Sequence, residues 1–271
     1  DLQGNNISLI RRGDFEGLKR LRILQLLENQ LHTIERGAFQ DLVSMERLRL
    51  NNNRIRALPD MLFSNMPRLY RLDISHNKLS VIGRKTLRGS PLIKNLQIDN
   101  NQLTCVDDTA IRSLKDMEIL TINANNLTTL GKDLFENMPK LRVLRISDNV
   151  LICDCHLQWL ARWLRRNPLL ALFTRCTSPH QMKGKNVAEL HDSDFKCSGV
   201  EERRDEEGCQ MEPMCPFPCS CSEGIVDCRD KGLTKIPANI PEGTTELRLE
   251  QNQITEVPAK IFAPYKRLRR M

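Results

Sequence analysis

The residue types able to do covalent or metal chemistry in this chain are ten cysteines and five histidines. One cysteine cluster is Cys153-x-Cys155-His156 with Cys176 and Cys197 downstream, and a second, Cys215, Cys219, Cys221 and Cys228, reads Cx3CxCx6C. Thiolate and imidazole sets of this kind hold zinc. Neither cluster has the paired CxxC spacing of zinc sites, so disulfides in an oxidising, extracellular compartment are favoured and no metal or other cofactor is expected. Connectivity does not follow from sequence alone. Taking each group of four as alternating pairs gives Cys153–Cys176 and Cys155–Cys197, then Cys215–Cys221 and Cys219–Cys228. Cys105 and Cys209 are left over, either bridged to one another or with Cys105 a free buried thiol. The histidines (His32, His76, His156, His180 and His191) are scattered, with no nucleophile or carboxylate constellation and no glycine-rich phosphate loop. That pattern argues against an enzyme. His32 and His76 are expected to be solvated.

The elements that must position the cysteines come from a repeat. Leu69-Tyr70-Arg71-Leu72-Asp73-Ile74-Ser75-His76-Asn77-Lys78-Leu79 reads LxxLxLxxNxL, and the template recurs every 24 residues. Its asparagine is Asn5, Asn29, Asn53, Asn77, Asn101, Asn125 and Asn149, and a later column holds Phe15, Phe39, Phe63, Leu87, Ile111 and Phe135. This period and pattern make the leucine-rich repeat signature. The fold class is therefore an α/β leucine-rich repeat solenoid, with a parallel concave sheet and disulfide-bonded caps. Within LxL, Leu72 and Ile74 point inward while Arg71, Asp73 and Ser75 point outward. A buried asparagine amide, with two donors and an acceptor, suits a turn whose backbone groups would otherwise be orphaned. The bland alternative, amphipathic helices, needs a 3.6-residue period and fails against LxLxxN.

Residues 1–151 form the first array, whose N-terminal cap is missing from this stretch and is expected upstream, since an uncapped terminal repeat exposes its apolar edge. Two sequons, Asn6-Ile7-Ser8 and Asn126-Leu127-Thr128, each follow a template asparagine and are candidate glycosylation sites on one flank. Outward strand positions carry Arg47, Arg49 and Arg71, with Arg145 further along and the apolar Ile23, Ile119 and Val143 among them. Such a mixture is a candidate partner-binding face. Residues 152–197 form a C-terminal cysteine cap in which 156–166 reads as a helix, with Asp154 able to cap it and Trp159 and Trp163 sealing the last repeat. Arg162, Arg165 and Arg166, with Lys183 and Lys185 beyond, are a candidate heparan sulfate site, a solvated charged face being the alternative. Residues 198–214 are a polar linker, and 215–228 are the N-terminal cap of a second array. The repeat restarts over 229–271 and stops there. A Cys105–Cys209 bridge is expected to staple the linker to the first array and restrict the angle between the domains.

Composition excludes several classes. The longest apolar run, Leu169 to Phe173, is far short of the ~18 residues a membrane helix needs. The net charge of +7 fits nucleic acid, but the cysteine content does not. Residue 1 lies inside a repeat, so the chain reads as an excerpt and its lack of a signal peptide is uninformative.

Three stretches carry a closer resemblance: Cys153-Asp154-Cys155-His156-Leu157-Gln158-Trp159-Leu160, Ile225-Val226-Asp227-Cys228-Arg229 and Leu247-Arg248-Leu249-Glu250-Gln251-Asn252. Array, cap, short linker and a fresh cap in this order resemble the Slit family of secreted guidance ligands, over most of a first leucine-rich domain and the start of a second. Such caps also have the alternating cysteine pairing. The resemblance implies guidance signalling through Roundabout-type receptors, with heparan sulfate as co-receptor. In that family the receptor docks on the concave face of the second leucine-rich domain, so Glu246, Arg248 and Glu250 are the candidate receptor contacts present here. A structural extracellular-matrix protein is the alternative, expected to self-associate or to bind collagen.

Overall fold

The computed structural model describes residues 1–197, 209, 215–238 and 240–271, so most of the expected 198–214 linker lies outside the described residues. The chain divides into two units, Asp1–Gln210 and Met211–Met271.

In the first unit the LxL segments form one six-stranded parallel sheet. Its strands are Ile23–Gln25, Arg47–Arg49, Arg71–Asp73, Asn95–Gln97, Ile119–Thr121 and Val143–Arg145, stacked in chain order. Leu24, Leu48, Leu72, Leu96, Leu120 and Leu144 pair in register and are all buried, since a one-residue slip in any strand would turn its leucine out to water. Behind the sheet, Phe15, Phe39 and Phe63 stack at centroid distances of 6.0 and 6.3 Å. The side away from the sheet is built mainly of turns. It also has two short parallel strand pairs, Leu9–Ile10 with Thr33–Ile34 and Val81–Ile82 with Cys105–Val106, and the five-residue helix Asp108–Arg112.

The asparagine column ties successive repeats together. Asn77 donates its Nδ2 hydrogens to the carbonyls of Ile74 and Ser75 in its own repeat and of Leu50 in the preceding one, while its Oδ1 accepts the Ile55 N–H at 3.0 Å. Asn29, Asn53, Asn101, Asn125 and Asn149 repeat the same four contacts. The residue before each, from Glu28 to Asp148, sits at a φ of 52–57°. This left-handed corner costs a non-glycine residue energy, and the four bonds that follow hold it.

Three local expectations are revised. Asp73 and Ser75 are buried, not outward in water, because the Asp73 carboxylate accepts both the N–H and the hydroxyl of Ser75 and is covered by the neighbouring repeats. His32 is half-buried, and burial first, then Arg56 and Arg54, pushes its pKa down. The cap helix spans Gln158–Arg166 and is entered through a tighter 3-10 turn, Cys155–Leu157. Asp154 caps that turn, accepting the His156 N–H at 3.0 Å, so the α-helix proper begins two residues later than the apolar pattern suggested. Leu157, Leu160, Ala161 and Leu164 are buried, and Trp159 and Trp163 lie 5.8 and 5.2 Å from the Phe135 ring, sealing the last repeat.

In the second unit, Ser220–Ser222 pairs antiparallel with Ile225–Asp227, which pairs parallel with Glu246–Arg248. Val226, Cys228, Ile240 and Leu247 form a small core that Leu233, Ile236, Phe262 and Leu268 cover. Asn252 repeats the asparagine motif, donating to Cys228 and Leu249 carbonyls and accepting from Lys231 and Leu233 N–H groups.

Candidate functional site

Five disulfides take up every cysteine: Cys105–Cys209, Cys153–Cys176, Cys155–Cys197, Cys215–Cys221 and Cys219–Cys228. The described residues bring Cys155, His156 and Cys197 within 4.8 Å of one another, but the two sulfurs are bonded together and His156 Nδ1 lies 3.3 Å from Asp154. With both sulfurs in one disulfide, the triad offers no thiolate to a metal. No helix among the described residues is long and apolar enough to cross a membrane.

Asn6 and Asn126 are both exposed. In the cap, Arg162 and Arg165 share Asp192 at 2.7 and 2.8 Å, and Arg166 reaches Glu136. The Arg162 guanidinium, then that of Arg165, holds the Asp192 carboxyl below the usual carboxylate range. Lys183 and Lys185 are exposed. In the second unit Glu246 and Arg248 face one another at 2.6 Å, with Asp227 3.7 Å from Arg248, and Glu250 is exposed. The Asp227 carboxyl is itself held far below its ordinary range, chiefly by hydrogen bonds from Arg229.

On the sheet of the first unit Arg47 is exposed and Arg49 and Arg71 are half-buried, each with an Nε that is buried without a hydrogen-bond partner. Arg47 donates to the Tyr70 hydroxyl, and its guanidinium lies 5.7 Å from that ring's centroid. Arg47, Tyr70 and Arg71, but not Arg49, line a groove of about 880 Å³ along the N-terminal ends of five successive strand segments. Glu46 and Arg47 begin it, Arg68, Tyr70 and Arg71 follow, and Leu92, Lys94 and Asn95 are next. Asp116, Glu118 and Ile119, then Lys140 and Arg142, complete it. The outward strand positions pointed to Arg47 and Arg71. The contribution of Arg68, Tyr70 and Lys94 was missed, because they precede the strands in columns the alternation argument left unread. Aligning the repeats and comparing those columns would have found them.

Family models bear on the whole arrangement. The leucine rich repeat model matches residues 1–55, 44–103 and 91–151, the leucine rich repeat C-terminal domain 173–198, and the leucine rich repeat N-terminal domain 214–241. Among curated proteins, sheep decorin is 39% identical over 94 residues, covering 33% of this chain and 25% of decorin. Xenopus laevis biglycan is 49% identical over 49 residues, 18% of this chain and 13% of biglycan. Human decorin is 45% identical over 56 residues, 21% of this chain and 16% of decorin. The matches thus span a quarter or less of these relatives. A chain in the octameric complex of Latrophilin 3, Unc5D and FLRT2 superposes with a TM-score of 0.62 at 29% identity, over 69% of this chain and 57% of that one. Human 5T4, with a TM-score of 0.56 at 23% identity over 71% of this chain and 76% of its own, shares the fold. The expected guidance-ligand function is overturned by these relatives. Decorin and biglycan are extracellular matrix proteoglycans, and they favour the matrix alternative over the Slit resemblance.

Proposed function

This chain belongs to the leucine-rich repeat family, and from that premise we propose that it is a non-catalytic extracellular matrix protein that works by holding protein partners against its solenoid. The observation that carries this reading is the relationship of its repeats to decorin and biglycan. An extracellular setting also fits the chemistry, since ten cysteines paired as cystines are favoured where the surroundings oxidise thiols. A rigid ladder closed by a cystine lid keeps the sheet face in one shape, which lowers the entropy lost when a partner docks. Heparan sulfate belongs to the proposal as a second partner. Arg162 and Arg165 share the single carboxylate of Asp192 and Arg166 pairs with Glu136, so these arginines keep one charge beyond their partners for a polyanion, and Lys183 and Lys185 stand exposed elsewhere in the cap. The experiment is co-sedimentation of the purified chain with collagen fibrils, together with sedimentation velocity of the chain alone. The chain is expected in the pellet or as a concentration-dependent oligomer. A monomer that leaves the fibrils untouched sinks the matrix reading.

A further inference from the structure

We infer that the groove running across the strand starts between Glu46 and Arg142 is a docking site for an extended acidic polypeptide segment. Three observations carry this. The first is charge bookkeeping within the groove. Its carboxylates are already engaged: Glu46 with Arg22 at 2.8 Å, Asp116 with Lys140 at 2.6 Å and Glu118 with Arg142 at 3.5 Å. The Arg22 and Lys140 hydrogen bonds come first in holding Glu46 and Asp116 below the usual carboxylate range, with smaller contributions from Arg68 and Arg47 on Glu46 and from Lys94 on Asp116, so these acids stay ionised. Between those compensated ends lie Arg47, Arg68, Arg71 and Lys94, none of which has a carboxylate within salt-bridge distance among the described residues.

The second observation is shape. Five strand starts spaced about 4.8 Å apart make a channel about 19 Å long, the length of about six residues of extended chain. The third is the apolar content. Tyr70, Leu92 at 46% exposed and Ile119 interleave with the cations. A polypeptide alternating acidic and apolar side chains satisfies both kinds of wall, whereas a sulfated polysaccharide leaves Leu92 and Ile119 without a partner. Arginine's planar fork also matches a carboxylate in bidentate fashion, and three of the four central cations are arginines.

The inference deepens the proposed protein-binding role, and it is tested without collagen so that the two can fail separately. The full chain is titrated into a fluorescently labelled hexapeptide of four glutamates and two leucines at physiological ionic strength, read by anisotropy. The double variant R68E/K94E reverses two exposed charges without touching the core, and R20E changes an exposed arginine outside the groove. Saturable binding is expected, weakened at least tenfold by R68E/K94E and less than twofold by R20E. Absence of binding, or an R68E/K94E affinity equal to the parent's, overturns the assignment. So does a heparin hexasaccharide that binds more tightly than the peptide and loses that affinity in R68E/K94E, because the occupant is then a polysaccharide.

Discussion

Replacing Asn77 by alanine isolates what the asparagine column contributes. The side chain makes four hydrogen bonds, but their loss is not felt equally. The Leu50 carbonyl keeps the Asn53 amide, the Ile74 carbonyl keeps that of Asn101, and the Ser75 carbonyl keeps the Asn52 N–H. Only the buried Ile55 N–H, whose acceptor is the Asn77 Oδ1, loses its partner outright. A buried donor left unsatisfied costs about 1–3 kcal/mol, and the lost donor contacts add about 1 kcal/mol. Asn77→Ala should therefore destabilise by about 2–4 kcal/mol. Asn5 provides the control, since it is exposed and donates only to the Leu2 and Gln3 carbonyls. Its alanine variant should cost under about 1 kcal/mol. Asn77→Asp separates the two halves of the amide. It keeps an acceptor for Ile55 but turns a carboxylate toward three carbonyl oxygens, so at neutral pH it should be at least as damaging as alanine. Urea unfolding of the intact, oxidised chain measures all three. Equal losses for Asn77→Ala and Asn5→Ala, or recovery of stability in Asn77→Asp, would refute the orphaned-donor reasoning.

Three further outcomes are expected. The Cys105–Cys209 bridge closes a sequence separation of 104 residues, and a long closed loop constrains the unfolded chain strongly. Cys105→Ser with Cys209→Ser should lower the urea stability by about 2–4 kcal/mol. Phe135→Ala removes the ring that both cap tryptophans lean on and should cost about 3–5 kcal/mol, read as a fall in Tm with loss of tryptophan fluorescence structure, while Leu172→Ala, on an exposed side chain, should leave Tm unchanged. Asp192 has a folded pKa below its unfolded one, so its contribution is present above the ordinary carboxylate value and is lost as pH falls through the lowered folded value. Asp192→Asn should flatten that part of the acid melting profile, and by releasing Arg162 and Arg165 it should raise the salt needed to elute the chain from heparin. An unmoved elution point would rule out those arginines as the polysaccharide contact.

Much of this molecule is written in one dimension. A 24-residue spacing of leucines and asparagines admits one stacking register, since any other puts Leu48, Leu72, Leu96 and Leu120 in water and leaves the turn carbonyls unbonded. The sheet order and the phenylalanine stack follow from the same spacing, because each depends on neighbours at fixed offsets along the chain, whereas the lid helix is read from its own 3.6-residue apolar face. Charge pairing does not. Arg162 and Arg165 read as an open cationic face until Asp192, about thirty residues on, is brought to 2.7 Å. Asp73 reads as solvated until the repeats on either side cover it. The groove shows the same division: its cations stand in separate repeats, and which keep a free charge depends on the partners Glu46, Asp116 and Glu118 find one repeat away. Hydrophobic burial is set by periodicity and survives small errors of placement. An ion pair exists only within about 4 Å, so the packed structure alone decides which charges remain to meet a partner.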